Sequence, residues 1–426
     1  MKTSYKTQPL KQVCELCETA LSRLKLLNAS FISFFTETMV LVLSINGRIN
    51  FQQLARFGQS CCKRFEKNFR KPFDWLKFNL GFVERVEDHL YAIALDPSYI
   101  SKSGKKTPGL GYFWSGCAQA VKRGLEILGI ALVDANAREA TSLRAVQTIK
   151  KPTIGRPPKC VEHVEKDSLM KEYLLTLYNY KNELQALSKI VVADAYFSKA
   201  TFVQGLEIMD FDLVSRFRDD VRLRYLYTGL QKQGRGRKKE FDGVVDINNL
   251  RSDVFQKEET TWDKDTITIY SAVVNAVSLQ RNVKVVIVEW NEDADKKTQS
   301  RKVFFSTDTS LTAKQIIAIY RSRFQIEFLF RDAKQFMGLT HCQARSKEAL
   351  DFAFNLSLSA VNIANAYCKL QGLDYSICDV KMLMHNAMMI ERIISMFGKM
   401  PNLRKIRGDD YTIFKDLLLL GVKDAA

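Results

Sequence analysis

Three acidic side chains have the types and positions of a phosphoryl-transfer site. Asp96 ends the apolar run YAIALD and Asp194 ends KIVVAD, while Glu327 lies within IYRSRFQIEFLFRDAK, which has a helical pattern. Active sites of α/β proteins form at the carboxyl edge of the sheet, so we expect Asp96 and Asp194 to meet there. Asp134 also ends an apolar run, but we assign it the commoner role of capping a turn.

These three carboxylates predict a metal site. Carboxylate oxygens are hard ligands that suit Mg²⁺, and two ions about 3.5–4 Å apart can clamp the attacking and leaving oxygens of a phosphodiester. We therefore predict two Mg²⁺ ions, with Mn²⁺ as an alternative, held by Asp96, Asp194 and Glu327. Such a site needs no histidine, and the chain contains only four.

A charged stripe accompanies Glu327 along its helix. At about 100° per residue its members fall within an arc of roughly 80°. They are Tyr320, Arg323, Glu327, Arg331 and Lys334. Other faces carry Ile326, Phe328, Leu329 and Phe330, which predicts a largely buried helix whose charges need partners. Two interpretations remain open: i,i+4 ion pairs, or contacts with metal and phosphate.

The spacing of this stripe resembles a known signature. Tyr320-x2-Arg323-x3-Glu327-x6-Lys334 is similar to the Y-R-E-K signature of cut-and-paste DDE transposases from bacterial insertion sequences, which have an RNase H-like catalytic core. The resemblance implies that Tyr320, Arg323 and Lys334 contact the DNA backbone at the transposon end. We add Arg331, from the same stripe, to the predicted DNA contacts.

The two aspartates agree with the same family. Asp96 in ALDPSYISKSGKK resembles its first Asp, and Asp194 in VVADAYFSK its second. Pro97 and Ser98 replace the family's small residue and Thr, so Ser98 keeps a hydroxyl at the corresponding place. The family implies binding to the terminal inverted repeats of double-stranded DNA, hydrolysis that frees a 3′-OH, and attack of that 3′-OH on target DNA, often through a hairpin. It also implies two protomers in the synaptic complex, and so a homodimer.

The elements that would position these residues follow a β-β-β-α-β-α-β order from residue 91 to 218. This order predicts an α/β fold with a mixed sheet flanked by helices, RNase H-like by the resemblance. The pattern then becomes wholly β before returning to helices. We divide the chain into a helical DNA-binding domain (1–88), the first part of the catalytic core (89–218), a β-rich insertion (219–310), a closing helix with Glu327 (311–345) and a C-terminal helical region (346–426).

The first region contains an outline of a helix-turn-helix. QQLARFGQSCCKRFEKNF has a turn near Gly58 and Gln59, followed by a basic second helix with Lys63 and Arg64 as candidate DNA contacts. An ordinary helical hairpin is the alternative. The most apolar stretch, 29–45, is interrupted at 36–38 and is shorter than the ~20 residues of a membrane span, so we predict a buried core helix and no membrane association.

The charge balance points to an anionic partner. Lys and Arg number 64 against 47 Asp and Glu, giving +17 and a pI of about 9.4, and nucleic acid is the leading candidate. Basic loops at Lys102, Lys105 and Lys106, at 150–159 and at 232–239 are predicted phosphate contacts. Trp262 and Trp290 are candidates for stacking on a flipped base, although each is more often a core aromatic.

Cysteine usage indicates a reducing compartment. Nine Cys at irregular spacings do not form a disulfide framework, and the N-terminus lacks the features of a signal peptide. Zinc on Cys14, Cys17, Cys61 and Cys62 is disfavoured because adjacent cysteines chelate one tetrahedral ion poorly, so we assign these residues to the core. We expect a cytoplasmic, nucleoid-associated bacterial protein.

These observations favour a transposase that cleaves element ends and joins them to target DNA. Two alternatives remain: a metal-dependent nuclease or resolvase on the same fold, and a non-catalytic DNA-binding regulator derived from a transposase. Joining of a pre-cleaved end to target DNA would distinguish a transposase from the nuclease or resolvase. Metal-dependent nicking of DNA would exclude the non-catalytic regulator.

Overall fold

A computed structural model describes residues 7–25, 27–149, 157–165, 168–231, 234, 236–262, 265–290, 301–396 and 415–423. Its helices are α1 (Gln8–Ser22), α2 (Ala29–Ser44), α3 (Phe51–Phe57), α4 (Cys62–Asn68), α5 (Trp75–Asn79), α6 (Leu169–Asn179), α7 (Lys181–Gln185), α8 (Ala200–Ile208), α9 (Ala313–Ser322), α10 (Phe324–Gln335), α11 (Lys347–Gln371) and α12 (Ile377–Met396). Its strands are β1 (Tyr91–Ser101), β2 (Gly111–Ser115), β3 (Ala120–Asp134), β4 (Glu139–Gln147), β5 (Ile190–Val192), β6 (Asp212–Arg216), β7 (Leu223–Leu226), β8 (Phe241–Val244), β9 (Gln256–Trp262), β10 (Asp265–Ala276), β11 (Arg281–Trp290) and β12 (Arg301–Ser306).

The strands form one mixed sheet. Its order is β2-β3-β1-β5-β6-β12-β11-β10-β7-β8, with β4 paired to β3 and β9 paired to β10. β1 runs antiparallel to β3 but parallel to β5, and β5 runs parallel to β6. This sheet, with helices packed against it, confirms the predicted α/β class.

The β-rich segment at 219–310 continues the central sheet. β12 pairs with β6, with Phe304 opposite Arg216, and β11 and β10 follow outward from β12. These strands therefore extend the catalytic sheet at the edge beyond β6. The domain boundaries themselves remain a prediction.

Strand β4 was not predicted from the sequence. Two amides from α11 satisfy part of its backbone: the side-chain oxygen of Asn355 accepts from the Ala145 N–H (2.8 Å), and that of Asn362 accepts from the Ser142 N–H (2.9 Å). Buried backbone groups require such partners. These partners lie more than two hundred residues away in the chain, so the local sequence of the strand does not indicate them.

Two other elements differ from their predicted extents. The run at 111–121 was predicted as one strand, but the chain turns at Gly116–Ala118 and separates β2 from β3. The predicted helix near 312–336 begins with a capping box, in which Thr312 and Gln315 exchange side-chain to backbone hydrogen bonds. It then divides into α9 and α10 at Arg323.

The N-terminal and C-terminal helices share one core. Helix α2 is apolar around its circumference and packs against α1, α11 and α12, which confirms the predicted buried helix. Phe352 of α11 lies within an aromatic cluster with Phe35 and Trp75. Across the described helices, we find none with both the length and the apolarity of a membrane span.

Candidate active site

Asp96 and Asp194 lie side by side at one edge of the sheet. The parallel register pairs Ala94 of β1 with Val192 of β5, so each aspartate follows its pair by two residues. Asp194 caps the next turn, where its Oδ1 accepts from the Tyr196 N–H (3.0 Å). The two aspartates therefore meet as predicted, but only Asp194 follows the end of its strand, because β1 continues beyond Asp96 to Ser101.

Helix α10 brings Glu327 over the same edge. Its close approach depends on Gly129, which lies opposite Asp96 in the β1–β3 register. A Cβ at Gly129 would lie 2.5 Å from Cζ of Phe330, one turn along α10 from Glu327. The absence of a side chain at this position thus permits the helix to pack directly on β3.

Arg323 connects the carboxylates. Its Nη2 lies 2.7 Å from Oε1 of Glu327 and its Nη1 lies 3.9 Å from Oδ1 of Asp96. The Arg323 side chain is 6% exposed, and its Nε is buried without a hydrogen-bond partner. One of the i,i+4 ion pairs considered from the sequence, Arg323 with Glu327, is thus formed, and Glu327 is the nearest carboxylate partner of this buried cation.

Burial and mutual repulsion govern the protonation of the aspartates. Burial raises the pKa of Asp96 to about 7 despite the opposing charge of Arg323, and nearby Glu327 and Asp194 add to the rise. Burial also raises the pKa of Asp194, again opposed by Arg323. Burial is thus the main cause of both rises, and the charge of Arg323 opposes it at each aspartate.

Two further members of the stripe lie close to this cluster. Lys334 Nζ donates to Ser98 Oγ at 2.8 Å, so the hydroxyl retained at Ser98 meets the last residue of the signature. Burial lowers the pKa of Lys334, while nearby Cys117 and Asp96 oppose that shift. Tyr320 is buried, with its ring 4.8 Å from that of Phe304, and burial raises the pKa of its hydroxyl.

Arg331 diverges from the rest of the stripe. It is 54% exposed, its Nε lies 2.9 Å from Asp332, and its guanidinium lies over the ring of Phe328. Phe328 is itself 42% exposed, so the prediction of a largely buried helix is wrong on this side. Ile326, Leu329 and Phe330 form the buried side of α10.

Arg216, at the end of β6, was not among the predicted site residues. Its charge opposes the raised pKa values of Asp194 and Tyr320, which places it beside both. Its Nε is buried without a hydrogen-bond partner. A signal was present in the sequence, because the strand DLVSRFR neighbours the strand that ends in Asp194.

Exposed aromatic side chains were also missed. Tyr112 and Trp114 project from edge strand β2 with 74% and 62% exposure. Trp290, predicted to stack on a base, is half-buried with Lys302 Nζ 5.0 Å from its ring centroid. The side chain of Trp262 lies outside the described residues.

Of the predicted basic loops, the structure describes the one with Lys102, Lys105 and Lys106 in full and the others only in part. Lys105 and Lys106 are exposed, whereas Lys102 Nζ donates to the Cys342 carbonyl. Most of the segment at 150–159, and residues 232, 233 and 235, lie outside the described residues.

The helical hairpin has its turn where the sequence predicted it. Buried Glu37 accepts from the N–H groups of Gln59 (2.6 Å) and Ser60 (2.9 Å). Arg64 donates to Ser60 Oγ and to the Ser30 carbonyl, while Lys63 is exposed on α4. Arg64 is thus engaged within the fold, and DNA contact by either residue remains a prediction.

Asp134 lies at the end of β3, five residues beyond Gly129, which is opposite Asp96. It pairs with Tyr91 in register and accepts from the N–H groups of Asn136 (2.8 Å) and Ala137 (3.0 Å). Its other oxygen lies 2.6 Å from His89. These contacts are those of the turn cap predicted for it.

The acidic donors suit a divalent cation in kind. Asp96, Asp194 and Glu327 offer hard oxygens, and a bound cation would favour the ionised form of Asp96, whose pKa burial raises to about 7. In the described residues, however, no three His, Cys, Asp or Glu side chains are close enough to share an ion, and Glu327 is bonded to Arg323. All nine cysteines are free; Cys17 is buried as expected, but Cys61 is exposed and does not belong to the core.

Comparison with known families agrees with this arrangement. Residues 169–363 match the family described as "Transposase DDE domain", a range that includes Asp194 and Glu327 but not Asp96. No curated protein matches the chain. Residues 169–363 are therefore identified as a transposase DDE domain.

Proposed function

We propose that this transposase cleaves DNA at the terminal inverted repeats of a bacterial insertion sequence and joins the freed 3′-OH ends to target DNA. The observation that carries the proposal is the convergence of Asp96, Asp194 and Glu327 at one sheet edge around a single guanidinium. The match of residues 169–363 to the transposase DDE domain supports DNA as the substrate and a divalent metal as the cofactor.

Asp96, Asp194 and Glu327 would hold the cations, Mg²⁺ or Mn²⁺. Bound there, two cations would stabilise the attacking and leaving oxygens of the phosphodiester. For Glu327 to become a ligand, it must exchange its bond with Arg323. The released guanidinium would then be free to donate to a DNA phosphate.

Three neighbours would orient the DNA strand. Lys334, held against Ser98, and the buried hydroxyl of Tyr320 flank the carboxylates and can donate to non-bridging phosphate oxygens. Arg216, beside Asp194, offers a further donor. We place all three, with Arg323, on the backbone of the transposon end.

A cleavage assay with a matched control tests the proposal. Asp96→Asn, Asp194→Asn and Glu327→Gln should each abolish metal-dependent cleavage and leave DNA binding intact, because binding depends on cations spread over several segments. Asp134→Asn, a substitution of the same kind outside the site, should cleave normally. Cleavage by Glu327→Gln in Mg²⁺ would refute the assignment.

Strand transfer and assembly need separate measurements. Joining of a pre-cleaved end to target DNA is expected of a transposase, and its absence alongside cleavage would indicate a nuclease or resolvase. Failure to nick DNA with any divalent metal would indicate a regulator. The cleavage-competent complex should contain two protomers by mass, and a complex with one would refute the proposed homodimer.

A further inference from the structure

A large cationic cleft lies beside the carboxylate site. Its volume is about 1410 Å³, and four segments far apart in the chain line it: the α2–α3 loop, the β1–β2 loop, the α10–α11 connection and helix α12. Its basic side chains are Arg48, Lys102, Lys105, Lys106, Arg345 and Lys381. None of the described residues that line the cleft is an Asp or a Glu.

The positive charge in the cleft has no carboxylate to balance it. Lys381 Nζ donates to the Val42 carbonyl at 2.8 Å, and Lys102 likewise donates to a backbone carbonyl. Arg48 and Arg345 are exposed. Like charges gathered in one concavity repel each other, so an anion bound there would relieve a cost built into the fold.

His341 adds a neutral donor to the same wall. Its Nδ1 accepts from the Ile49 N–H at 3.1 Å, which places the ring proton on Nε2. Burial lowers the pKa of His341, and the charges of Arg48 and Lys381 add to that effect. The imidazole is thus held as a hydrogen-bond donor among cations.

We propose that this cleft binds the phosphodiester backbone of the DNA strand that leads away from the cleavage site. Its volume exceeds the roughly 300–1,000 Å³ of a small-molecule pocket, and its cations are spread across four segments rather than converging on one point. Two elements connect it with the active site: Ser101 of β1 lines it five residues after Asp96, and Gln335 lines it next to Lys334. The inference rests on the proposed function only for the choice of DNA as the ligand.

The salt dependence of DNA binding tests the cleft without involving cleavage. Binding of a fluorescent duplex DNA is measured in EDTA over a series of salt concentrations. Each lost phosphate contact lowers the slope of log K against log salt by about 0.9. The double variant Arg48→Gln with Arg345→Gln should therefore bind more weakly, with a slope smaller by about 1.8.

A charge-matched control separates this effect from the change in net charge. Lys189→Gln with Lys369→Gln removes two exposed lysines, paired with Asp210 and Glu139 at the end of the sheet opposite Asp96. This control should keep the parent slope. If the cleft variant keeps the parent slope, or if both variants lose slope equally, the proposal is overturned.

Two further measurements distinguish failure of the cleft proposal from failure of the proposed function. Asp96→Asn should bind DNA in EDTA at least as tightly as the parent, whatever its effect on cleavage. A loss of slope in the cleft variant would therefore stand even if the carboxylates proved non-catalytic. Equal competition by polyglutamate and by DNA of the same total charge would overturn the assignment to a nucleic-acid backbone.

Discussion

Replacing Arg323 with Gln removes the charge that joins the carboxylates of the site. The guanidinium is almost fully buried, lies 2.7 Å from Glu327 and lies 3.9 Å from Asp96. If it balances these groups inside the fold, its loss must lower stability. If Arg323 serves only to contact DNA, the substitution should barely change the stability of the protein in the absence of DNA.

The structure sets the size of the expected loss. At an effective dielectric constant of about 20, unit charges at the Asp96 separation interact by roughly 4 kcal/mol. Asp96 escapes much of that cost by taking up a proton, because its pKa already lies at about 7. Glu327 is 41% exposed, so water replaces most of what its pair contributes, leaving about 0–1 kcal/mol. We therefore expect a net loss of about 1–2 kcal/mol at pH 7.

Thermal melting measures this loss, with Arg331→Gln as the control. Arg331 lies on the same helix, but it is exposed and pairs with its neighbour Asp332, so its substitution should change stability by less than about 0.5 kcal/mol. Arg323→Gln should melt a few degrees below Arg331→Gln. Equal melting temperatures for the two variants would refute the internal balancing role and leave Arg323 as a DNA contact alone.

Three other substitutions test separate parts of the reasoning. Gly129→Ala would place a methyl group against Phe330 and displace α10, so it should cost about 1–3 kcal/mol and reduce cleavage more than DNA binding; parent-like melting and cleavage would contradict the packing argument. Burial lowers the pKa of Lys381 from its ordinary 10.5 to about 7. Below pH 7 the buried amine is charged, and its burial lowers the stability of the fold by the full amount. Between pH 7 and 10.5 the folded protein has lost this proton while the unfolded chain still holds it, so stability rises with pH. Stability relative to Lys381→Met should therefore shift in favour of the parent by on the order of 2–4 kcal/mol between pH 7 and 10, and a pH-independent difference would count against it. Tyr320→Phe keeps the packing on Phe304, so it should melt near the parent and slow cleavage, and unchanged cleavage would remove the hydroxyl from the proposed DNA contacts.

The convergence of the aspartates was predictable because it follows from local patterns. Short apolar runs that end in Asp become buried strands, and parallel neighbours bring their carboxyl ends to one edge. The helix with Glu327 was equally visible in its periodicity. The orientation of that helix was not visible in the sequence. It depends on the contact of Phe330 with Gly129, which lies opposite Asp96 and about two hundred positions before Phe330 in the chain.

Long-range contacts also explain the other differences. Arg331 follows the angular pattern of the stripe, yet it turns to Asp332 and Phe328 because α10 exposes that side. β4 depends on amides from α11, and the cleft draws its cations from four separate segments. Composition revealed the surplus of positive charge, but only the tertiary fold reveals where that charge lacks a partner.

The two charged regions divide the work of the protein electrostatically. Around Asp96 and Asp194, burial raises the pKa of both carboxyl groups, and the charges of Arg323, Lys334 and Arg216 act against that rise. The cleft differs, since basic side chains line it and none of its described lining residues is an Asp or a Glu. We therefore expect DNA affinity measured without divalent metal to arise mainly in the cleft and on other basic surfaces, and cleavage to depend on the carboxylates. Because Ser101 lines the cleft and Asp96 lies within the same strand, β1, we expect a DNA strand held in the cleft to be positioned near the site even where the site itself does not attract it.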